Sequence, residues 1–298
     1  MMTMHALSDL ESKASGRMAV TRDEAERIVA CPDLVSVGVI GAIARKATHG
    51  ARVTYGRVAC VPDGVVPAAM GDAGEVRITG VPASPEDAIR WTHAARTFAG
   101  DVPLTGFSLM DLLTLAGSDH LVLAELAHAL HANGLQGVAE VPIDELGDDP
   151  GEVMRAVIHG GLTAERATIT RAPFAARLDL IARVVALQKE VSVLRAFAPL
   201  PRVDPADVPS TGYDDVKTIV AARVMATSIP HIQVDWILYG PKLAQVAIEY
   251  GADDIDGVAA VDVEQLGGRR SPKLDIERQI RSAFAEPAER NGRYELRA

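Results

Sequence analysis

The chain has 298 residues, 48% of them hydrophobic and 23% charged, with a formal net charge of −10. That length holds one large α/β domain or two ordinary ones, and the composition is globular, neither disordered nor fibrous. An acidic chain repels phosphate backbones and the bases are interspersed with acids, which argues against nucleic acid as a main partner.

Two helical patterns open the chain. In "TRDEAERIVA" Thr21 is placed as an N-cap, with acids in the first turn. "PDLVSVGVIGAIARKATHG" runs from Asp33 to a natural stop at Gly50. A strand follows at 52–61. Strand and helix patterns then alternate: a strand at 75–81, a helix at 84–99 with Ser84 as cap and Pro85 in the first turn, and a strand at 102–108. A helical pair follows, the second member stopped by Gly134, then a strand at 137–143. "GEVMRAVIHG" reads as a helix, 165–172 as a strand, and "FAARLDLIARVVALQKE" as an amphipathic helix with Phe174, Leu178, Ile181 and Val185 on one stripe. The strand 191–200 leads through a Pro-rich loop to the helix "YDDVKTIVAARVMATS". The strand "HIQVDWIL", the helix "PKLAQVAIEYG", the strand "IDGVAAV" and a last helix, "SPKLDIERQIRSAFAE", complete the chain.

Strands separated by helices require crossover connections, hence a mainly parallel sheet. Six to eight βα units in this length predict an α/β fold of the TIM-like (β/α) barrel kind, complete or partial. A doubly wound open sheet is the alternative, weakened because no G-x-G-x-x-G follows the first strand. The division expected is a helical lead-in at 1–51, the barrel at 52–262, and a C-terminal helix and tail at 263–298 packed on it.

Aromatic residues make up 4% of the chain, so the core must be aliphatic. Cys31 and Cys60 are the only cysteines, too few for a thiolate zinc site or a disulfide framework. That usage, with no apolar run of membrane or signal-peptide length, gives a soluble cytoplasmic protein as the expectation.

Barrel chemistry sits at the C-terminal ends of strands. That rule gathers Cys60, Glu140, Arg171, Arg195, Asp235, Tyr239 and the acids Asp253, Asp254 and Asp256 of "IEYGADDIDG". The three aspartates either face a ligand or shape a helix-to-strand turn; Asp256, with Gly257, is the better placed to shape the mouth. Arg171 and Arg195 either hold a ligand carboxylate or pair with the protein's own acids. Tyr239 either lines a pocket or packs, and Trp236 is core or rim. His128 and His131, at i and i+3, suit a helix surface better than a metal site that lacks a third ligand. His231, at the start of its strand, reads as structural.

The C-terminal third, "STGYDDVKTIVAARVMATSIPHIQVDWILYGPKLAQVAIEYGADDIDG" (210–257), resembles the corresponding segment of aminofutalosine synthase, a radical SAM family of the futalosine route to menaquinone. The pattern is shared in part with dehypoxanthine futalosine cyclase and the deazaflavin cofactor synthases. The tail continues it through Pro287, Glu289, Arg290 and Tyr294, and "MAVTRDEAERIVACPDLVSVGVIGAIARKATHGARVTY" resembles the helical lead-in. The middle matches loosely.

The resemblance implies three cysteines, C-x-x-x-C-x-x-C, after the first strand, holding a 4Fe-4S cluster that binds SAM. Here that strand runs into "CVPDGVVPAAMGDAGEV" (60–76), where Cys60 stands alone and Asp63 and Asp72 are hard oxygen donors. A Gly-Gly strand end is missing, and the Glu motif of the middle strand is reduced to "VAEVPIDEL" around Glu140. The segment before 102–108 is short for the family, so one βα unit is expected to be lost or remodelled. The expectation is a degenerate relative without its own 4Fe-4S cluster or SAM. It would bind a small molecule or stabilise a catalytic radical SAM homologue in menaquinone synthesis. The alternative is an enzyme of that route doing polar chemistry in the old pocket.

Overall fold

The computed structural model describes residues 7–202, 210–261 and 273–297. The Pro-rich loop residues 203–209 and the expected boundary at 262–263 lie outside the described residues. Three helices lead in: α1 (Ser8–Ser15), α2 (Arg22–Ala30) and α3 (Leu34–His49). Thr21 caps α2 reciprocally with Glu24, the backbone N–H of Thr21 donating to Glu24 Oε2 at 2.9 Å. Asp33 caps α3.

The barrel then runs β1 (Arg52–Pro62), β2 (Glu75–Thr79), α4 (Pro85–Ala99), β3 (Leu104–Ser108), α5 (Leu109–Leu115), α6 (His120–Ala132), β4 (Gly137–Pro142), α7 (Pro150–His159), β5 (Arg166–Ile169), α8 (Arg177–Val191), β6 (Ala196–Pro199), α9 (Gly212–Met225), β7 (His231–Asp235), α10 (Trp236–Glu249) and β8 (Asp254–Ala259). The tail adds α11 (Lys273–Ser282) and β9 (Glu286–Arg290). All eight barrel strands pair in parallel with their sequence neighbours, and β8 closes on β1. The barrel is therefore complete, and the partial alternative does not hold. Among the described residues no helix is long and apolar enough to cross a membrane.

One unit is remodelled. The β1–β2 connection, residues 63–74, contains no helix. A loop of that length is close to the shortest that can return a chain to a parallel partner, about a dozen residues. β9 fills the gap that β2 leaves beside the lower half of β1. It pairs with Arg52–Gly56, while β2 pairs with Val58–Pro62.

The sides of the strands differ in chemistry. Val76 and Ile78 of β2, Ala167 and Ile169 of β5, Ile232 and Val234 of β7, and Ile255 of β8 are buried in the aliphatic core shared with the helices. Their neighbours at period two are polar and point into the barrel. Strands of an all-parallel sheet are ordinarily apolar on both faces. This interior is not, and that places the site.

Candidate functional site

β8 contributes Asp254 and Asp256 to the interior, both fully buried. Asp254 accepts from Arg290 Nε at 2.6 Å and Nη2 at 2.7 Å, from Gln233 Nε2 at 2.7 Å and from Thr54 Oγ1 at 2.5 Å. Asp256 accepts from Arg77 Nη1 at 2.7 Å and Nη2 at 3.0 Å, with Arg290 Nη2 at 3.4 Å and Arg166 Nη2 at 3.6 Å. Arg77 also donates to Glu75 at 2.8 Å, and Arg166 Nε to Gln233 Oε1. Burial alone would raise the Asp256 pKa. The guanidiniums of Arg77, Arg166 and Arg290 outweigh it and hold the carboxyl far below the usual range. Both carboxylates are fully paired and brace the barrel interior. Asp254 starts β8 and lies deep, whereas Asp256 sits in register with Asp235, toward the mouth.

Asp253 lies one residue earlier, on the floor. It accepts from Arg223 Nη2, from His231 Nδ1 at 2.6 Å and from the Ile232 backbone at 2.9 Å, with His49 Nε2 at 3.2 Å. His49, His231 and Asp253 are close enough to share a metal ion. Their protons argue against it. His49 Nε2 also faces the Pro230 carbonyl at 2.8 Å, and a carbonyl only accepts, so that nitrogen carries hydrogen. His231 Nδ1 likewise donates to Asp253, and Arg223 neutralises the carboxylate. His231 is structural, stacked between His49 at 5.3 Å and Tyr294 at 5.6 Å, with Arg290 over the Tyr294 ring at 4.5 Å.

The mouth holds Cys60, Glu140 and Asp235. Glu140 accepts from Thr168 Oγ1 at 3.4 Å. Asp235 caps α10 through Ile237 N at 2.8 Å and Leu238 N at 2.9 Å. Burial raises the pKa of Glu140, with Glu145 and Asp111 adding to it against Arg166 and Arg77. Burial and then the Asp256 charge raise Asp235. Two carboxyls that keep their protons beyond the ordinary range can donate hydrogen bonds or act as general acids.

The sign for stability follows. A raised folded-state pKa means stability is full below the unfolded value and falls as pH rises through the folded one. Glu140→Gln therefore raises the melting temperature at neutral pH. The gain shrinks as pH drops below the ordinary glutamate range. Melting curves of both proteins across pH check it, and an equal gain at every pH contradicts it.

The other expected site residues disperse. Arg171 is exposed on the rim, 3.7 Å from Glu145. The Asp144 carboxylate fixes that turn by accepting from the backbone N–H of Arg171 at 2.7 Å and Ala172 at 2.9 Å. Tyr239 is buried and donates to the Pro199 carbonyl at 2.8 Å, and Trp236 is buried beside it in α10. Arg195 is a correction. α8 continues to Val191 and stops at Ser192 in the left-handed region, so β6 starts only at Ala196. Arg195 thus lies on the floor, lining a cavity of about 260 Å³ with Glu165, Arg293 and Glu295. His128 and His131 lie on the outer helix α6, both exposed. Sequence reasoning missed Glu75, Arg77, Arg166 and Gln233. The signal was present: "EVRIT", "RATIT", "HIQVD" and "DID" each alternate polar and apolar at period two.

No protein-family model matches the chain. Over 141 residues it is 30% identical to aminodeoxyfutalosine synthase of Streptomyces coelicolor, a match covering 40% of this chain and 36% of that protein. Cyclic dehypoxanthine futalosine synthase of the same organism is 28% identical over 169 residues, 53% of this chain and 42% of that protein. The crystal structure of methylornithine synthase shares the fold over 94% of this chain and 97% of that one, with a TM-score of 0.69 at 11% identity. The chain is thus similar in sequence to the aminodeoxyfutalosine synthases over about two fifths of its length, and similar in fold to methylornithine synthase over nearly all of it. It spans about two fifths of the length of the curated relatives it matches.

The position where a cluster loop would leave β1 carries a single thiol. Cys60 pairs in register with Arg77 and faces Arg77, Asp256 and Asp235. Although Cys60 is exposed, the protein packed around its thiol and the charges of Asp256, Glu75 and Asp235 raise its pKa against Arg77, which disfavours the thiolate a cluster needs. Asp72 is paired with Arg57 at 2.9 Å and Arg297 at 2.8 Å. These donors do not suit an iron–sulfur cluster.

Proposed function

We propose that this chain is a clusterless barrel that binds a nucleoside-like metabolite of the futalosine route at its mouth, without radical chemistry of its own. The observation that carries the reading is the lone, protonated Cys60 at the head of a helix-free loop. Without a cluster there is no route for an electron to a SAM sulfonium. The mouth residues available for binding are Glu140 and Asp235. Their carboxyl groups, with pKa values raised by burial, suit a ligand that carries hydrogen-bonding groups. The link to menaquinone synthesis rests on the relatives' chemistry, the cytoplasmic setting on the two unpaired cysteines, and a catalytic radical SAM homologue is the partner that would supply or consume the ligand.

One observation favours a second reading, polar catalysis in the same pocket: burial raises the pKa of Glu140, which would suit it to donate a proton. Calorimetry with aminodeoxyfutalosine tests binding. Saturable binding that weakens at least tenfold in Glu140→Leu supports the mouth site, and heat-free mixing at millimolar ligand rejects it. Turnover of the bound ligand in the absence of iron and SAM selects the catalytic reading.

A further inference from the structure

Among the described residues, three side chains around the C-terminal end of β6 carry buried polar atoms that make no hydrogen bond. Arg177, the first residue of α8, is 2% exposed, yet neither Nη1 nor Nη2 has a partner; only Nε donates, to the Ala172 carbonyl at 3.3 Å. Asp215, in the first turn of α9, is 3% exposed with Oδ1 unpartnered. Each feels the other's charge, but the two form no hydrogen bond with one another. Ser210 hydrogen-bonds to the Asp215 carboxylate, so only its Oδ1 is left over, and Ser210 Oγ accepts from the Arg202 backbone at 2.8 Å; Arg202 Nε is the third unpartnered site. Tyr239 cannot fill the gap, because its hydroxyl is committed to Pro199.

Opposite charges in a dry interior attract strongly and should close on each other. Leaving a buried donor pair and a buried acceptor unmade costs free energy, so something that both accepts and donates belongs between them. A guanidinium with both Nη free matches a carboxylate bidentately. A free Asp oxygen matches an N–H or O–H beside that carboxylate. We propose that Arg177 and Asp215 form a subsite for the carboxylate end of a small α-amino or α-hydroxy acid, with the carboxylate on Arg177 and the adjacent donor on Asp215. The subsite goes beyond the mouth reading and has its own readout, stabilisation by simple acids with no futalosine-type ligand present.

The test is thermal unfolding of the full chain titrated with glycine, glycolate, acetate and, as a control, chloride. Glycine and glycolate raise the melting temperature saturably, acetate does so more weakly, and chloride does not. Asp215→Asn removes the preference for glycine and glycolate over acetate, and Arg177→Lys removes the carboxylate response. A wild-type protein that treats all four alike overturns the proposal, whether or not the variants fold. So does a crystal structure grown with glycine that shows only an ordered water between Arg177 and Asp215.

Discussion

Arg290→Met lowers the unfolding free energy by about 3–5 kcal/mol, the range for breaking one side of a buried ion pair. Arg290 is 2% exposed and forks onto Asp254, which is fully buried, with a further contact to Asp256. Remaining donors to Asp254, from Thr54 and Gln233, are neutral. The substitution strands an anion inside the barrel, where its desolvation is no longer offset. Arg290→Lys recovers only part of the loss, because a point charge cannot fork. Arg290→Met combined with Asp254→Leu is more stable than Arg290→Met alone, since no unpaired charge remains. Urea unfolding curves with unchanged slope measure all three. A loss below about 1 kcal/mol for Arg290→Met contradicts the view that the tail strand completes the barrel interior.

Gly41→Ala is expected to cost about 3 kcal/mol, the upper end of an overpacking penalty. A Cβ at Gly41 would sit 2.2 Å from the Tyr250 backbone oxygen and 2.5 Å from its carbonyl carbon. Backbone cannot swing aside as a side chain can, so α3 must move off the end of α10. Gly38, one turn earlier, meets only the Tyr250 ring at 3.1 Å. The ring can rotate, so Gly38→Ala costs less. Equal losses at the two sites contradict this account of the α3 contact.

Much of the architecture is legible in the residues because the caps and breakers are local. Thr21, Asp33 and Ser84 stand where they cap, and Gly50 and Gly134 lie where helices stop. β6 was read too long because "VSVLR" has β-branched residues, although the buried face of α8 continues through Leu187 and Gln188. The ninth strand was not legible. Glu286–Arg290 is short and polar, and it is a strand only because β1 offers it an edge. The site was half legible. Cys60, Glu140 and Asp235 were found by the rule that barrel chemistry collects at strand ends. The Asp254–Arg290 and Asp256–Arg77 pairs join residues 36 and 179 positions apart, and such partners follow only from barrel closure.

The central claim is that the mouth of this barrel does not hold a cluster. The most direct measurement is anaerobic iron–sulfur reconstitution of the purified full chain, followed by absorbance and iron content, with SAM binding by calorimetry on the same sample. The account predicts no stoichiometric iron, no cluster absorbance and no heat from SAM. A full 4Fe-4S complement that binds SAM contradicts it, and returns Cys60 to a working radical site completed by thiolates from elsewhere.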